Sequence, residues 1–326
     1  MNPSLSYENS IAATVHASHP HPSLQEGYAY GYGWRAILLL MMLLTMIVAP
    51  AQGSTLEALW NDSQSRDYRA PASNELEQVE QLFRRTFASE TSEALAADWA
   101  TLGFQLEHVT EQGHVFTVIR ERPDQRWGRG FYTFAARLTS RPVLQAPHAL
   151  SDKFTGLIAL RLFAQDQFAA GAWSTAPRRY QNEDDETVDA DLAHLPESHL
   201  LAFSKAAAFS QPASAILQLH GFAAEKRKTE AGRTAGAIIS AGQSQPTLAA
   251  EQTVHCLDKV ITEPVLLYPI QIGELGGTAN QIGQTLRALG SSAFVHIELA
   301  RSVREQLRVN AALRDQFGGC LAGVRL

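Results

Sequence analysis

The stretch Ser292–Leu299, SAFVHIEL, decides how the rest of the chain is interpreted. Its apolar content and length are typical of a buried β-strand, and the period-two alternation of a strand places Phe294, His296 and Glu298 on one face. A carboxylate inside a central strand is costly to bury unless it is paired or used. Glu298 therefore takes part in a reaction, forms an ion pair with a nearby arginine, or lies at an exposed edge.

Two other apolar stretches end in a histidine. Pro142–Ala146 leads into His148, and Ala213–Leu219 leads into His220. In open α/β sheets, ligands bind in the crevice at the carboxyl ends of the strands. We therefore expect both histidines and Glu298 to share one crevice.

Short apolar stretches alternate with helical patterns from residue 142 onward. The helical patterns are Ser151–Gln165, Leu192–Phe209, Asn280–Leu289 and Ser302–Phe317. Parallel strands need crossover connections, which are usually helices. The sequence therefore predicts an α/β fold with a mainly parallel or mixed sheet flanked by helices.

The region before residue 141 has a different pattern. A helix is predicted from Asn74 to about Ala97, and His114–Ile119 with Gly130–Ala135 is predicted to form a β-hairpin. These elements indicate a small N-terminal α+β lead-in. The predicted organisation is a leader and signal peptide at 1–53, the helix and hairpin region at 54–140, and an α/β catalytic domain at 141–326.

The leader contains an apolar run, Ile37–Val48, that is preceded by Arg35 and followed by Ala49-Pro50-Ala51. Twelve residues are too few to cross a bilayer, which needs about 20. A positive flank, a short apolar core and a small-x-small site are typical of a secretory signal peptide. The expected location is periplasmic or secreted, with membrane contact only through this segment; a single membrane anchor is the alternative.

The composition limits the partners of the folded region. The net charge is −6 and no aromatic-basic stripe is present, which argues against nucleic acid. The chain has two cysteines, Cys256 and Cys320, without metal-site spacing. They form one disulfide in an oxidising compartment, or they are two separate thiols.

Three residues near the predicted crevice have the side chains of a metal site. Asp152 follows His148 by four positions, so both can reach one cation, and His220 supplies a second imidazole. Two histidines and a carboxylate suit one catalytic zinc ion, although they also suit other metals. The alternative for Asp152 is structural: Ser151 is a good helix N-cap, and an acid in the first turn complements the helix dipole.

The remaining predicted site residues would handle protons and the substrate. Glu298 suits a general base. Arg227, in the basic loop 225–233, and Arg161 are candidates for holding an anionic end of a small-molecule or peptide substrate. A solvated charged loop is the other interpretation of the segment around Arg227.

With these residues in place, the chain resembles the zinc carboxypeptidase-like hydrolases and their amidohydrolase relatives, including N-formylglutamate and poly-γ-glutamate hydrolases. The resemblance covers about 142–304. It implies that His148, Asp152 and His220 are zinc ligands, that Glu298 is the general base, and that the substrate contains an amide or peptide bond. Three residues separate His148 from Asp152, whereas carboxypeptidases have two at this place, which disfavours a standard carboxypeptidase.

Two other functions stay open. Leu219-His220-Gly221-Phe222 resembles the oxyanion loop of α/β-hydrolases, which are serine esterases, but their Gly-x-Ser-x-Gly elbow is missing. The nearest match, Gly242-Gln-Ser244-Gln-Pro246, lacks the last glycine. The third candidate is a non-catalytic envelope binding protein. The sequence favours an exported zinc-dependent hydrolase.

Overall fold

The computed structural model describes residues 55–138, 140–182 and 184–326. Its centre is a nine-stranded sheet with the spatial order β1-β2-β3-β5-β4-β8-β11-β9-β10, and β6 pairs with β7 separately. The strands are β1 Phe104–Glu111, β2 His114–Glu121, β3 Phe131–Ala135, β4 Val143–Ala146, β5 Ala170–Trp173, β6 Arg179–Gln181, β7 Thr187–Asp189, β8 Ile216–Phe222, β9 Ala237–Ser240, β10 Val265–Leu267 and β11 Phe294–Ala300.

The sheet is mixed. Strands β5, β4, β8 and β11 run parallel to their neighbours within this group, whereas β1, β2 and β3 form antiparallel pairs and β9 is antiparallel to β11. Because β3 pairs with β5, the N-terminal strands extend the same sheet. The predicted α/β class with a mixed sheet is confirmed.

Helices cover both faces of this sheet. They are α1 Thr55–Asp62, α2 Ser73–Phe87, α3 Glu93–Thr101, α4 Thr155–Phe163, α5 His199–Ser210, α6 Glu230–Thr234, α7 Leu248–Leu257, α8 Gln281–Ala288, α9 Arg301–Val309 and α10 Ala311–Ala322. Helices α1, α4, α7, α9 and α10 bury side chains in one hydrophobic core, and α2, α3, α5 and α8 do so in a second.

Side chains on the two faces of β11 pack into different cores. Val295, Ile297 and Leu299 lie in the first core, while Phe294 lies in the second. All seven residues of the strand are buried. The face that carries His296 and Glu298 is therefore the face that α5 and α8 cover.

Several local features differ from the prediction. The helix expected over Ser302–Phe317 is divided into α9 and α10, because Asn310 has extended backbone angles and caps α10. The helix expected from Asn74 to Ala97 is two helices, because the chain turns at Ser89, where φ is 61°, and restarts at Ser92. The Ser92 side chain caps α3 by accepting from the backbone N–H of Leu95 at 3.1 Å. Strand β5, AGAW, was not predicted, because its small residues lack a strand pattern.

The predicted signal segment Ile37–Val48 lies outside the described residues. Among the residues that are described, no helix is both long and apolar enough to span a membrane. Cys256 in α7 and Cys320 in α10 form a disulfide, which resolves the two alternatives that the sequence left open.

Candidate metal centre

A cavity of about 360 Å³ opens at the carboxyl ends of β4 and β8 and beside the end of β11. Glu298 pairs in register with His220 across the β11–β8 ladder. The loop 275–280 before α8 forms another part of the wall. Charged and polar side chains that line the cavity include His148, Asp152, Arg178, His194, His220, Asn280, His296 and Glu298.

Three of these side chains converge on one point. His148 Nδ1 lies 3.4 Å from Asp152 Oδ2, His220 Nδ1 lies 3.7 Å from the same oxygen, and the two Nδ1 atoms are 3.2 Å apart. Donors bound about 2.0–2.1 Å from a tetrahedral zinc ion stand about 3.4 Å from each other. The observed separations lie on both sides of this value, so the three residues fit one metal ion of that size.

The local sequence explains how Asp152 reaches this point. The chain turns sharply after β4, and the backbone N–H of Asp152 donates to the carbonyl of His148 at 2.8 Å. Asp152 Oδ2 also accepts from the backbone N–H of Gly221, directly after His220, at 3.0 Å. Helix α4 begins only at Thr155, and the Ser151 hydroxyl accepts from the backbone of Arg178. The structural alternative for Ser151 and Asp152, a cap and a first-turn acid, is therefore not observed.

The outer nitrogen of His148 has a strong partner that the sequence did not reveal. His148 Nε2 lies 2.7 Å from Asp191 Oδ1. Asp191 is only 3% exposed, and its other oxygen accepts from Arg178 Nε at 2.7 Å and lies 2.9 Å from His194 Nδ1. Metal-binding histidines commonly donate their second N–H to a carboxylate in this way, which fixes the tautomer.

The charges of this group support one another. Burial would lower the pKa of His148, but Asp152 and Asp191 outweigh it and raise that pKa to about 9. Burial would raise the pKa of both acids, yet their contacts with the histidines hold each pKa well below its usual value. Without a metal ion, His148 is therefore protonated at pH 7, and its positive charge lies between the carboxylates of Asp152 and Asp191.

His220 and His296 lie against each other deeper in the cavity, with ring centroids 4.5 Å apart. Burial lowers the pKa of both rings, so both are neutral at pH 7. His296 was recognised as a neighbour of Glu298 on the same strand face but was not assigned a role. Its Nδ1 has no hydrogen-bond partner among the described residues.

Glu298 faces the cavity from β11. It is 9% exposed, its Oε1 lies 3.8 Å from His296 Nε2, and its Oε2 has no hydrogen-bond partner within the described ranges. Burial, with the Asp152 carboxylate as a smaller cause, raises the pKa of Glu298 to about 8. A carboxylate with a raised pKa and a free oxygen is able to take a proton from a reactant.

The alternative of an ion pair for Glu298 does not hold for its local arginines. Arg304 donates to the backbone carbonyls of Leu299, Lys153 and Phe222. Arg301 donates to Glu305 at 2.8 Å. In the described part of the chain, neither guanidinium forms a salt bridge with Glu298.

The two arginines predicted to hold the substrate are not among the described residues that line the cavity. Arg161, at the end of α4, donates to the carbonyl of Arg308 at 2.8 Å and lies 3.5 Å from Glu57, so the structure does not bring it to the cavity. Arg227 is 3.7 Å from Glu274 and is not among the residues that line the cavity, although its charge acts to lower the pKa of Glu298. Arg178 does line it, and sequence reasoning missed this residue because its strand context is short and exposed.

No protein-family model and no curated protein matches this chain. Among solved structures, N-formylglutamate amidohydrolase from Ralstonia eutropha JMP134 is similar at 12% identity and a TM-score of 0.41, over 60% of this chain and 96% of that chain. Bacteriophage poly-gamma-glutamate hydrolase is similar at 10% identity and a TM-score of 0.29, over 59% of this chain and 86% of that chain. Both belong to the group of hydrolases that the sequence resembles. At these identities and TM-scores, neither similarity assigns an activity or a residue role to this chain.

Proposed function

We propose that this chain is an exported hydrolase of an amide or peptide bond that uses one zinc ion held by His148, Asp152 and His220. The convergence of their three donor atoms within 3.2–3.7 Å of one another is the observation that carries the proposal. Zinc, when bound, supplies Lewis-acid polarisation of the substrate carbonyl and activation of the attacking water.

Glu298 acts as the general base in this proposal. Glu298 lines the cavity, and its Oε2 has no hydrogen-bond partner among the described residues. Its carboxylate takes a proton from the attacking water and passes it to the leaving amine. The raised pKa of this carboxyl suits both steps, since a base near neutral pH both accepts and releases the proton readily. The balance is one water consumed and one amide bond cleaved, to give a carboxylate and an amine.

Arg178 supports an anionic substrate. Among the described residues that line the cavity, Arg178 is the one arginine. Its Nε donates to Asp191, which holds one side of the guanidinium in place. A guanidinium held in one orientation is well suited to bind a carboxylate. Arg178 therefore takes the role that the sequence suggested for Arg227 or Arg161.

Export is part of the proposal and rests on two observations. The sequence Ile37–Val48 has the pattern of a signal peptide. Cys256 and Cys320 are paired, and disulfides persist mainly in oxidising compartments such as the periplasm.

The proposal is tested by whether a chelator abolishes hydrolysis and added zinc restores it. The purified chain is assayed against a panel of N-acyl amino acids and short peptides, with and without an acidic residue, before and after chelation and zinc re-addition. We expect chelation to abolish turnover and zinc to restore it, while a serine-directed reagent has no effect. Inhibition by the serine reagent and indifference to chelation would support the serine esterase instead, although none of the described residues that line the cavity is a serine. Ligand binding without turnover in any assay would support the envelope binding protein.

A further inference from the structure

A row of fully buried polar side chains connects the candidate metal centre to the helices behind it. Gln145 on β4 and Gln218 on β8 are paired in register, Ser204 lies on α5, and Asn280 precedes α8. Each of the four is at most 2% exposed. Burying an amide is costly unless its hydrogen bonds are made, and every side-chain nitrogen and oxygen in this row has a partner.

The direction of these hydrogen bonds is fixed from one end by a backbone carbonyl. The carbonyl of Leu200 can only accept, so the Ser204 hydroxyl donates to it at 2.7 Å. Ser204 Oγ then accepts from Gln145 Nε2 at 2.9 Å, and Gln145 Oε1 accepts from Gln218 Nε2 at 2.8 Å. The remaining atom of the second amide, Gln218 Oε1, is thereby turned towards His220.

A backbone N–H fixes the same orientation from the other end. The N–H of Gly283 can only donate, and it does so to Asn280 Oδ1 at 3.1 Å. The amide nitrogen of Asn280 must then be the donor to Gln218 Oε1, at 2.8 Å. Two independent backbone groups therefore determine which way the Gln218 amide faces, although oxygen and nitrogen of an amide look alike in shape.

The consequence falls on His220, whose Nε2 lies 3.3 Å from Gln218 Oε1. An oxygen at this place accepts only from a protonated Nε2, so the neutral ring keeps its lone pair on Nδ1. We propose that Gln218 is a positioning residue that holds His220 in the Nε2–H tautomer and so keeps Nδ1 available to a metal ion. This inference rests on the proposed function for its purpose, but the tautomer itself does not depend on bound metal.

Other groups also act on the Nδ1 side of this ring. The Asp152 carboxylate lies 3.7 Å from His220 Nδ1 and by itself favours a proton on that atom. The protonated His148, whose Nδ1 lies 3.2 Å away, favours a lone pair there. The Gln218 amide therefore opposes the effect of Asp152. A change that reverses the amide while leaving Asp152 and His148 in place isolates its contribution.

Asn280→Asp is such a change. Aspartate is as good an N-cap as asparagine, so the side chain at position 280 still accepts from the backbone N–H of Gly283 and caps α8. The introduced carboxylate can only accept, so Gln218 must rotate to donate to it. This rotation requires the Gln145 amide to reverse as well and the Ser204 hydroxyl to turn from the Leu200 carbonyl to Gln145 Oε1, which a hydroxyl can do. Gln218 then presents Nε2 to His220. We expect the proton of His220 to move from Nε2 to Nδ1. Asn310→Asp, at the exposed N-cap of α10, is the matched control.

The measurement is long-range ¹H–¹⁵N NMR of the histidine rings in the zinc-free full chain, with His220 assigned from His220→Gln. We expect Nε2–H in the wild type and in Asn310→Asp, and Nδ1–H in Asn280→Asp. Zinc affinity, measured by chelator competition, is expected to fall about 10- to 100-fold in Asn280→Asp only. Should Asn280→Asp not fold, Gln218→Met removes the acceptor and is expected to give the same Nδ1–H ring.

The outcomes separate this inference from the proposed function. An unchanged Nε2–H ring in Asn280→Asp and in Gln218→Met would overturn the role of Gln218, even if zinc binds. Zinc affinity that rises in Asn280→Asp would also overturn it, because the added negative charge would then be the only effect. The expected tautomer change without zinc binding in any variant would uphold the role of Gln218 and contradict the zinc site.

Discussion

His148 and Asp191 are joined by a 2.7 Å hydrogen bond between Nε2 and Oδ1, although 43 residues separate them in sequence. This bond turns the Nδ1 atom of His148 towards Asp152 and His220. The other oxygen of Asp191 accepts from Arg178, which lines the same cavity. One buried carboxylate thus orients a candidate metal ligand and a candidate substrate anchor together.

Asp191→Asn is expected to weaken zinc binding about 10-fold or more, because a neutral amide holds the His148 ring less firmly and makes it a weaker ligand. Asp184→Asn, at an exposed position in the preceding loop, is the control and is expected to bind zinc like the wild type. Chelator competition measures both affinities. Equal affinities in all three proteins would contradict the role of Asp191.

Glu298→Gln is expected to lower kcat by about 10²- to 10⁴-fold while zinc content stays unchanged, because the amide cannot accept the proton. Glu305→Gln, an exposed acid on α9, serves as the control. Steady-state kinetics and elemental analysis of the same samples separate loss of the base from loss of the metal. Full turnover in Glu298→Gln would exclude Glu298 as the base.

The pH dependence of the reaction follows from the same carboxyl. Glu298 must be ionised to act as a base, so kcat/KM is expected to rise with pH as the group loses its proton. Its pKa is raised to about 8 without metal, and the positive charge of zinc lowers it, so the midpoint is expected below pH 8. A profile of kcat/KM against pH measures this, and activity that falls over the same range would contradict it.

Arg178→Ala is expected to raise KM about 10- to 100-fold for substrates with a free carboxylate and much less for their neutral amides, because a charged hydrogen bond is lost. Arg161→Ala is the comparison, since that guanidinium contacts Arg308 and Glu57 away from the cavity. Its KM is expected to equal that of the wild type. The opposite result, with Arg161→Ala impaired and Arg178→Ala normal, would return the anchor to Arg161.

Glu121 gives a prediction on stability that does not involve the candidate site. Burial raises its pKa to about 7 from 4.5, even though its carboxylate accepts from the backbone N–H groups of Trp127 and Arg129. Between pH 4.5 and 7, Glu121 therefore keeps its proton in the folded chain, whereas the same group has already lost it in the unfolded chain. The free energy of unfolding is expected to decrease as pH rises through this range, by about 3 kcal/mol from this group.

Urea unfolding of the wild type and Glu121→Gln at several pH values checks this contribution. The variant is expected to lose most of the decrease, because a glutamine does not titrate. The same pH slope in both proteins would show that Glu121 is not its source.

The parts of the structure that the sequence could predict are those set by local patterns. The alternation of Phe294–Leu299 and the histidines at the carboxyl ends of two strands were readable because strand period and strand ends are local features. His148 follows β4 as expected, whereas His220 lies within β8, which continues to Phe222. The mixed α/β sheet followed from them, and the structure places His148, Asp152, His220 and Glu298 at one cavity.

The parts that could not be predicted depend on contacts between distant segments. Asp191 ends the acidic sequence QNEDDETVDAD at 181–191, whose composition is typical of a solvated loop, and only the path of the folded chain buries it against His148. Arg161 shares a helix with apolar residues, and helical spacing alone did not show that its guanidinium lies towards Arg308 and away from the cavity. The Gln145–Gln218 pair likewise required the register of β4 against β8.

Metal content is the most direct test of the zinc site. Elemental mass spectrometry is applied to the purified chain after zinc reconstitution and removal of free metal, beside His220→Ala and His255→Ala, an exposed histidine on α7. We expect about one zinc per chain in the wild type and in His255→Ala, and a large loss in His220→Ala. A wild-type chain without zinc, or equal zinc in all three proteins, would contradict a site formed by His148, Asp152 and His220.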